Sequence, residues 1–196
     1  IDFQLQPATL DNDFRAVNIL LGSKRFYLDE NGGQLWIPDQ EYKKGSWGHI
    51  GGSTFKLKAS NRQGYGTDRN IRGTDHDPIY QTQTVGLKQY RFDVPNGQYE
   101  LILHFAELVG GDKKEALAYN LDNTVRVDKA EERVFDVIVN NVPFLENFSI
   151  RDKYGVLTAG TEKIRINVKT GQGIVLDFKA IVGEPVMNGV QIRRID

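Results

Sequence analysis

The sequence predicts an all-β protein that folds as a two-sheet antiparallel β-sandwich. Short segments in which apolar and polar residues alternate recur along the chain, as in strands that bury one face. Turn signals rich in glycine, proline and asparagine separate these segments, and about ten strands are expected from the pattern. At 196 residues the chain is long enough to bury a sizeable core within one domain.

Composition limits the kinds of partner that the chain can bind. Lys and Arg number 25 against 26 Asp and Glu, a net charge of −1, and no basic run occurs. This balance argues against a nucleic acid or an anionic membrane surface. No apolar run approaches the ~20 residues that a membrane-spanning helix needs. Cysteine is absent, which excludes disulfides, thiolate metal sites and a cysteine nucleophile and leaves the redox compartment undetermined.

The N-terminal part is expected to be an appendage. Residues 1–14 alternate weakly, so they are predicted to form a tether or an added edge strand before a domain that spans residues 15–196. The chain begins at Ile1 without an initiator methionine or a signal peptide, which favours a piece of a longer polypeptide. The first strands of the domain are predicted at 16–21, 25–28 and 54–58.

The centre of the chain holds two segments with a strongly apolar face, 89–94 and 99–106. Between them, Pro95-Asn96-Gly97 signals a reversal, so the two strands are expected to pair as an antiparallel hairpin. Later strands are predicted around 133–139, with a turn at Asn140-Asn141, and at 189–194. The side chains predicted to be buried between the sheets are Leu101, Leu103, Phe105, Phe135, Val137, Ile166, Leu176 and Ile192.

Several motifs, in this order and spacing, resemble malectin and the malectin-like carbohydrate-binding modules. They are Ile79-Tyr80-Gln81-Thr82, a Gly-x-Tyr-x-Leu strand that ends in Phe105-Ala106-Glu107, and Val134-Phe135-Asp136-Val137 followed by Asn140. The resemblance implies a jelly-roll, galactose-binding-domain-like sandwich that binds sugar through loops at one end. The segment 17–52 is also similar to the C-terminal module of bacterial family 2 glycoside hydrolases of the β-galactosidase type, through Val-Asn, Trp-x-Pro-Asp-Gln and Gly-Ser-Trp-Gly.

The resemblance implies a sugar site built from loops 59–77, 108–133 and 183–188. Of the malectin pocket residues, one tyrosine has a counterpart here, Tyr65, whereas the second tyrosine falls on Val85. The adjacent Tyr-Phe pair and the aspartate of malectin also lack counterparts, so malectin's own diglucose specificity is not expected. The candidate sugar-contacting residues are Tyr65, Trp47, Glu107, Tyr119, Glu184 and Asn188.

Two of these candidates have simpler alternatives. Trp47 and Trp36 lie among glycines and suit a stacking platform, yet both also suit an apolar plug at one end of the sandwich. Tyr65 lies between two glycines and is either a sugar contact or a ring that covers the sandwich end. A short helical turn is also an option at 113–119, although caps do not support it at both ends.

Catalytic chemistry finds little support in the sequence. His49, His76 and His104 show no spacing that links them to a nucleophile or to a metal ion. A glycosidase needs two carboxylates across a bond, and Glu107 with Asp136 is the pair to consider. A carboxylate that ends a strand and an aspartate on the outward face of its strand are the simpler interpretation.

No cofactor is expected, although one loop leaves a structural calcium ion as an alternative. Asp68, Asp75 and Asp77 offer oxygen ligands there, but Asx turns explain loop aspartates without an ion. We therefore expect a non-catalytic module of a larger, secreted or periplasmic bacterial glycoside hydrolase. Its partners would be a neutral glycan and the catalytic and other domains of the same polypeptide. A structural module without sugar affinity and an enzyme in its own right are the alternatives.

Overall fold

The computed structural model describes residues 10, 13–29, 33–56, 65–109 and 132–196. This part of the chain forms two main β-sheets that pack face to face and a small third sheet. The predicted fold class, a two-sheet antiparallel sandwich, is confirmed. It contains fourteen strands and two short helices within the described residues.

The strands are β1 (Ala16–Leu20), β2 (Tyr27–Asp29), β3 (Gln34–Pro38), β4 (Trp47–Ile50), β5 (Ser53–Thr54), β6 (Thr84–Val85), β7 (Gln89–Phe92), β8 (Gly97–Phe105), β9 (Val134–Val139), β10 (Val142–Phe148), β11 (Gly160–Val168), β12 (Ile174–Val182), β13 (Val186–Met187) and β14 (Gly189–Arg194). The helices are α1 (Asp77–Tyr80) and α2 (Ile150–Tyr154). None of the helices in the described residues is long and apolar enough to cross a membrane.

The two large sheets have the strand orders β11-β8-β14-β1-β3-β2 and β10-β9-β12-β7-β4. Neighbouring strands run antiparallel except for β1 and β3, which pair in parallel. The small sheet has the order β13-β6-β5. Because β13 directly precedes β14, whose first residue Gly189 pairs with His104, the small sheet lies at the C-terminal end of β8.

The main core forms where the apolar faces of the two large sheets meet. Phe105 on β8 packs against Phe135 on β9, with 6.3 Å between the ring centres, and both side chains are fully buried. The burial predicted for the other core residues is confirmed, with the exception of Ile166. Ile166 packs against the core but is only partly buried, because β11 is the edge strand of its sheet.

The predicted central hairpin is wrong. Strand β7 pairs with β4 and β12, whereas β8 pairs with β11 and β14 in the other sheet. The turn after β7 therefore carries the chain across the sandwich, and the Tyr99 hydroxyl donates a hydrogen bond of 2.9 Å to the Pro95 carbonyl. This arrangement buries the apolar faces of both strands in one core from opposite sides. A strand shows the same alternation of apolar and polar residues whether it pairs with the next strand in a hairpin or lies in the opposite sheet.

The predicted turn at Asn140-Asn141 is confirmed, whereas one helix and the burial of Phe14 were not expected. Asn140 and Asn141 adopt φ values of 47° and 66° at the turn between β9 and β10, which suits a tight hairpin. Helix α2 was not predicted, although Ser149 marks its start by accepting a hydrogen bond from the Asp152 N–H at 3.2 Å. Within the predicted tether, Phe14 is 5% exposed and packs in the main core.

A second apolar cluster, which includes Leu20, Trp36, Ile79 and Tyr80, covers part of the outer face of the six-stranded sheet, and His104 is buried beneath it. The Tyr80 hydroxyl lies 2.9 Å from Nδ1 of His104, and Nε2 of the ring lies 3.0 Å from Oε1 of Gln191, each within hydrogen-bond distance. Trp36 meets the imidazole edge-on, with 5.1 Å between the ring centres. Burial lowers the pKa of His104 to about 4, so the ring is neutral in the folded protein near neutral pH.

His104 should make the fold sensitive to acid. Between its ordinary pKa of about 6.5 and its folded pKa of about 4, the unfolded chain binds a proton that the folded protein excludes. The free energy of unfolding should therefore fall as the pH drops through this window, by about 3 kcal/mol in total. Urea unfolding across the window should show this slope in the wild type and a smaller slope in His104→Gln. Equal slopes in the two proteins would rule out the assignment.

Candidate functional site

The candidate sugar site, called the loop end below, comprises the small sheet with Tyr65 on one side and Glu184 on the other. The ladder of the small sheet continues past β5, because the Phe55 N–H donates to the Gln83 carbonyl at 2.9 Å and the Gly66 N–H donates to the Phe55 carbonyl at 3.0 Å. These bonds fix Tyr65 next to the sheet. The Tyr65 ring is partly buried, and its hydroxyl accepts a hydrogen bond of 3.4 Å from the Lys24 N–H.

Glu184 reaches the small sheet from the other end of β6. The N–H groups of Gly86 and Leu87 both donate to the Pro185 carbonyl, at 2.9 and 3.3 Å, and hold the 183–185 turn beside β6. The Glu184 side chain is exposed and lies against bare backbone, since a Cβ atom on Gly86 would be 2.8 Å from its Oε1 atom. Gln83 and Gly86 are three residues, or roughly 10 Å, apart along β6, and the segment that carries Tyr65 lies a further two strand spacings, roughly 10 Å, to the side of β6.

Two glycines, Gly52 and Gly86, lie on the surface of the loop end. Gly52 and Gly86 have φ values of 89° and 76°, in the left-handed region that favours glycine. A Cβ atom on Gly52 would lie 2.8 Å from Cγ2 of Thr84 and 3.0 Å from the Val85 carbonyl oxygen. The two glycines therefore let Thr84 and the Glu184 carboxylate lie directly against the backbone, where a larger residue would collide with them.

Glu107 is not at the surface of the loop end. Its side chain is 1% exposed, and Oε2 accepts a hydrogen bond of 3.1 Å from Nε of Arg133, which is itself buried. Oε1 accepts from the Val109 N–H at 3.0 Å, while Nη1 of Arg133 donates to the Glu184 carbonyl at 3.1 Å. In this structure Glu107 supports the turn that carries Glu184 and offers no surface to a ligand.

Asn188 is also an internal connector. It is fully buried, its Oδ1 accepts from the Ala106 N–H at 2.8 Å, and its Nδ2 donates to the carbonyls of Tyr80 and Thr82, each at 2.8 Å. These bonds tie the end of β8 to α1 and to the segment before β6. Both amide hydrogens are used, so Asn188 has no donor to offer a sugar in this structure.

The tryptophans do not form a stacking platform, because Trp47 and Trp36 are each 2% exposed. Trp47 lies in the main core and Trp36 in the second cluster, so they do not plug one end together either.

His49, two residues after Trp47, pairs with Asp39, since Nδ1 of His49 lies 2.7 Å from Oδ2 of Asp39. The hydrogen bond to Asp39 raises the pKa of His49, although burial acts in the opposite direction.

The remaining candidate, Tyr119, lies outside the described residues, as do the predicted helical turn at 113–119 and parts of loops 59–77 and 108–133. Of the candidates that the structure describes, it therefore brings Tyr65 and Glu184 to the loop end with accessible surface. Their contact with a sugar stays a prediction.

The groups considered for catalysis have separate internal partners. His49 pairs with Asp39 and His104 with Tyr80, while the Tyr27 hydroxyl lies 3.1 Å from Nδ1 of His76. Asp136 faces outward, as predicted, and accepts a hydrogen bond of 2.8 Å from the Asn147 N–H. These side chains hold loops and strands together.

In the loop considered for calcium, Asp77 accepts a hydrogen bond from the backbone of the same loop. Oδ1 of Asp77 accepts a hydrogen bond of 3.3 Å from the Ile71 N–H, and His76 pairs with Tyr27. Within the described ranges, no three His, Cys, Asp or Glu side chains are close enough together to hold a metal ion.

Comparison with known proteins supports the resemblance seen in the sequence. A family model of the malectin domain matches residues 16–188. Malectin-A of Xenopus laevis is 29% identical over 106 residues, which are 52% of this chain and 32% of that protein. The curated relatives that this chain matches are much longer than it is, since it spans between 11% and 32% of their length.

Two solved structures show the same fold. A calcium-binding mutant of Bacteroides uniformis β-glucuronidase 2 matches with a TM-score of 0.77 and 26% identity, over 97% of this chain and 20% of that chain. The extracellular domain of ANXUR1 from Arabidopsis thaliana matches with a TM-score of 0.63 over 92% of this chain and 48% of that chain. At 18% identity, this second likeness shows the fold alone. Because the family model extends over residues 16–188, the chain belongs to the malectin family of carbohydrate-binding domains.

Proposed function

We propose that this domain is a non-catalytic carbohydrate-binding module of a larger glycoside hydrolase and that it binds a neutral glycan at the loop end. The observation that carries the proposal is the exposed Glu184 carboxylate beside the bare backbone of Gly86, with Tyr65 held at the other end of β6. Membership of the malectin family and the match to a segment of a β-glucuronidase support it.

The parent enzyme in this proposal is a family 2 glycoside hydrolase. The sequence similarity of residues 17–52 favours the β-galactosidase type, whereas the structural likeness is to a β-glucuronidase. We place the protein outside the cytoplasm, secreted or periplasmic, since polymeric glycans are encountered there. Its partners are then the glycan and the other domains of the parent chain.

Binding would combine one stacked ring with polar contacts. Sugar C–H groups pack on the Tyr65 ring, whose hydroxyl is held by the Lys24 N–H. The Glu184 carboxylate accepts charge-assisted hydrogen bonds from sugar hydroxyls. By the resemblance to malectin, its second tyrosine falls on Val85 and its Tyr-Phe pair falls on Val109 and Gly110, so a free mono- or disaccharide should bind weakly. We expect a Kd no tighter than about 0.1 mM, or about 5.5 kcal/mol.

Tyr65→Ala and Glu184→Gln should each weaken binding. Loss of the stacked ring, or of one charge-assisted hydrogen bond, should cost about 1 kcal/mol or more, a roughly fivefold increase in Kd. The affinity of the isolated domain for galactosides and glucosides can be measured by calorimetry or affinity electrophoresis. Glu146→Gln, an exposed change on β10, is the matched control and should leave Kd unchanged. Unchanged affinity in both loop-end variants would place the sugar elsewhere.

A structural role within the parent enzyme is the second candidate, and an apolar surface patch favours it. Leu28 and Leu35 pair across β2 and β3 and are 55% and 37% exposed, and Phe26 beside them is 52% exposed. Such a patch at a sheet edge suits packing against another domain. If no sugar binds the isolated domain, this structural role replaces the glycan-binding proposal.

A further inference from the structure

A cluster of cations lies on the outer face of the six-stranded sheet and is called the cation cluster below. It consists of Lys163, Arg165 and Arg193 around the carboxylate of Glu100. Nη2 of Arg193 lies 2.6 Å from Oε1 of Glu100, Nε of Arg165 lies 3.3 Å from Oε2, and Nζ of Lys163 lies 3.6 Å from Oε1. Three positive charges therefore meet one negative charge, a net charge of +2.

Strand register assembles this cluster. Glu100 on β8 pairs directly with Arg165 on β11 and with Arg193 on β14. Lys163 lies two residues before Arg165 on β11, so its side chain projects from the same face of the sheet. The residues come from three adjacent strands, and the paired backbone holds their Cα atoms in place.

Exposure shows which groups face solvent. The Glu100 side chain is 1% exposed, whereas those of Lys163, Arg165 and Arg193 are 56%, 75% and 60% exposed. The cations cover the carboxylate and keep much of their own surface open. Burial acts to raise the pKa of Glu100, but the hydrogen bonds from Arg193 and Arg165 outweigh it and lower the pKa. The carboxylate thus stays charged and anchors the two guanidinium groups.

The neighbouring part of the same face presents ordered amides. Nε2 of Gln191 donates to Oδ1 of Asn18 at 2.9 Å and to Oε1 of Gln34 at 3.1 Å. Oε1 of Gln191 also lies 3.0 Å from Nε2 of the buried His104. Both amide hydrogens of Gln191 are used, so these amides offer sugar hydroxyls chiefly their acceptor oxygens.

We propose that the cation cluster binds a carboxylate-bearing sugar, a uronic acid unit of an acidic glycan. The guanidinium groups of Arg165 and Arg193 retain donors beyond those that contact Glu100, and planar guanidinium forks match a carboxylate in geometry and charge. One ligand carboxylate reduces the excess positive charge of the cluster. The adjacent side-chain amides of Gln191, Asn18 and Gln34 then contact hydroxyl groups of the same glycan.

This surface is separate from the loop end and does not rest on the function proposed for it. Glu100 lies four residues from His104 along β8, or about 13 Å from the end of the strand where the small sheet lies. A weak interaction with a neutral sugar at Tyr65 and binding of an acidic glycan at Arg165 can therefore be measured independently.

The test compares oligogalacturonate with its methyl-ester form, which has the same sugar backbone without the charges. Affinity electrophoresis and calorimetry should show that the wild type binds the acid form about tenfold more tightly than the ester. Arg165→Gln combined with Arg193→Gln should remove this preference. The urea midpoint of the variant checks that it is folded, because the change also removes the guanidinium partners of the Glu100 carboxylate.

Two controls make the outcome specific. Lys44→Gln combined with Lys179→Gln removes the same charge from exposed positions outside the cluster and should keep the preference. Tyr65→Ala should also keep it. The proposal is overturned if the wild type does not prefer the acid form. A surface that instead binds an acidic partner protein would give that result. The proposal is equally overturned if the control variant loses the preference as fully as the cluster variant does.

Discussion

Truncation of Phe105 to alanine should lower the free energy of unfolding by about 3–5 kcal/mol. Phe105 is fully buried, and its ring lies 5.1 Å from Phe148 and 6.3 Å from Phe135, measured between ring centres. Removing it leaves a cavity between the two sheets that the paired strands cannot close. Urea unfolding followed by tryptophan fluorescence measures the loss.

Phe26→Ala is the matched control for this change. Phe26 is 52% exposed, so its truncation should alter the free energy of unfolding by no more than about 0.5 kcal/mol. If Phe105→Ala unfolds at the same urea concentration as the wild type, the register of β8 is wrong. A slip of one residue would put Phe105 on the opposite face.

Replacement of Arg133 by methionine should be comparably costly, about 3–5 kcal/mol. The change removes the guanidinium that pairs with the Glu107 carboxylate inside the protein, and removing one member of a buried ion pair is strongly destabilising. It also removes the hydrogen bond to the Glu184 carbonyl, so any sugar affinity of the loop end should fall with stability. Chemical unfolding and sugar titration of the same variant measure both effects.

Arg151→Met provides the comparison for an exposed ion pair. Nε of Arg151 lies 3.2 Å from Oδ1 of Asp152, and the two side chains are 35% and 67% exposed, far more than those of Arg133 and Glu107. Its loss should cost no more than about 1 kcal/mol. Equal effects of Arg133→Met and Arg151→Met would mean that the Glu107 pair is not shielded from water, contrary to the structure.

The strands were predictable from sequence, but their partners were not. Alternation located β14 at Gly189–Arg194 and the inward side chains Val190 and Ile192. The same alternation suggested that β7 and β8 form a hairpin, which is wrong because they belong to different sheets. A local pattern records which face of a strand is apolar, and that face is the same whichever sheet the strand joins.

The candidate site was only partly predictable for a related reason. Glu107 and Asn188 are polar residues at strand ends, which made them plausible ligand contacts, yet both are buried and hold the fold together. Burial depends on contacts distant in sequence, such as the pairing of Glu107 with Arg133. The glycines Gly52 and Gly86 were visible in the sequence, but their position beside Glu184 depends on the small sheet. Tyr65 was identified through the malectin resemblance.

The most direct test of glycan binding at the loop end is an NMR titration of the isotope-labelled domain with galactosides, glucosides and glucuronides. For a neutral sugar, we expect chemical-shift changes to cluster at Tyr65, Gly86 and Glu184 and to saturate with a Kd no tighter than about 0.1 mM. Tyr65→Ala should abolish most of these changes. Shifts that cluster elsewhere, or no shift at tens of millimolar sugar, would contradict glycan binding at this site.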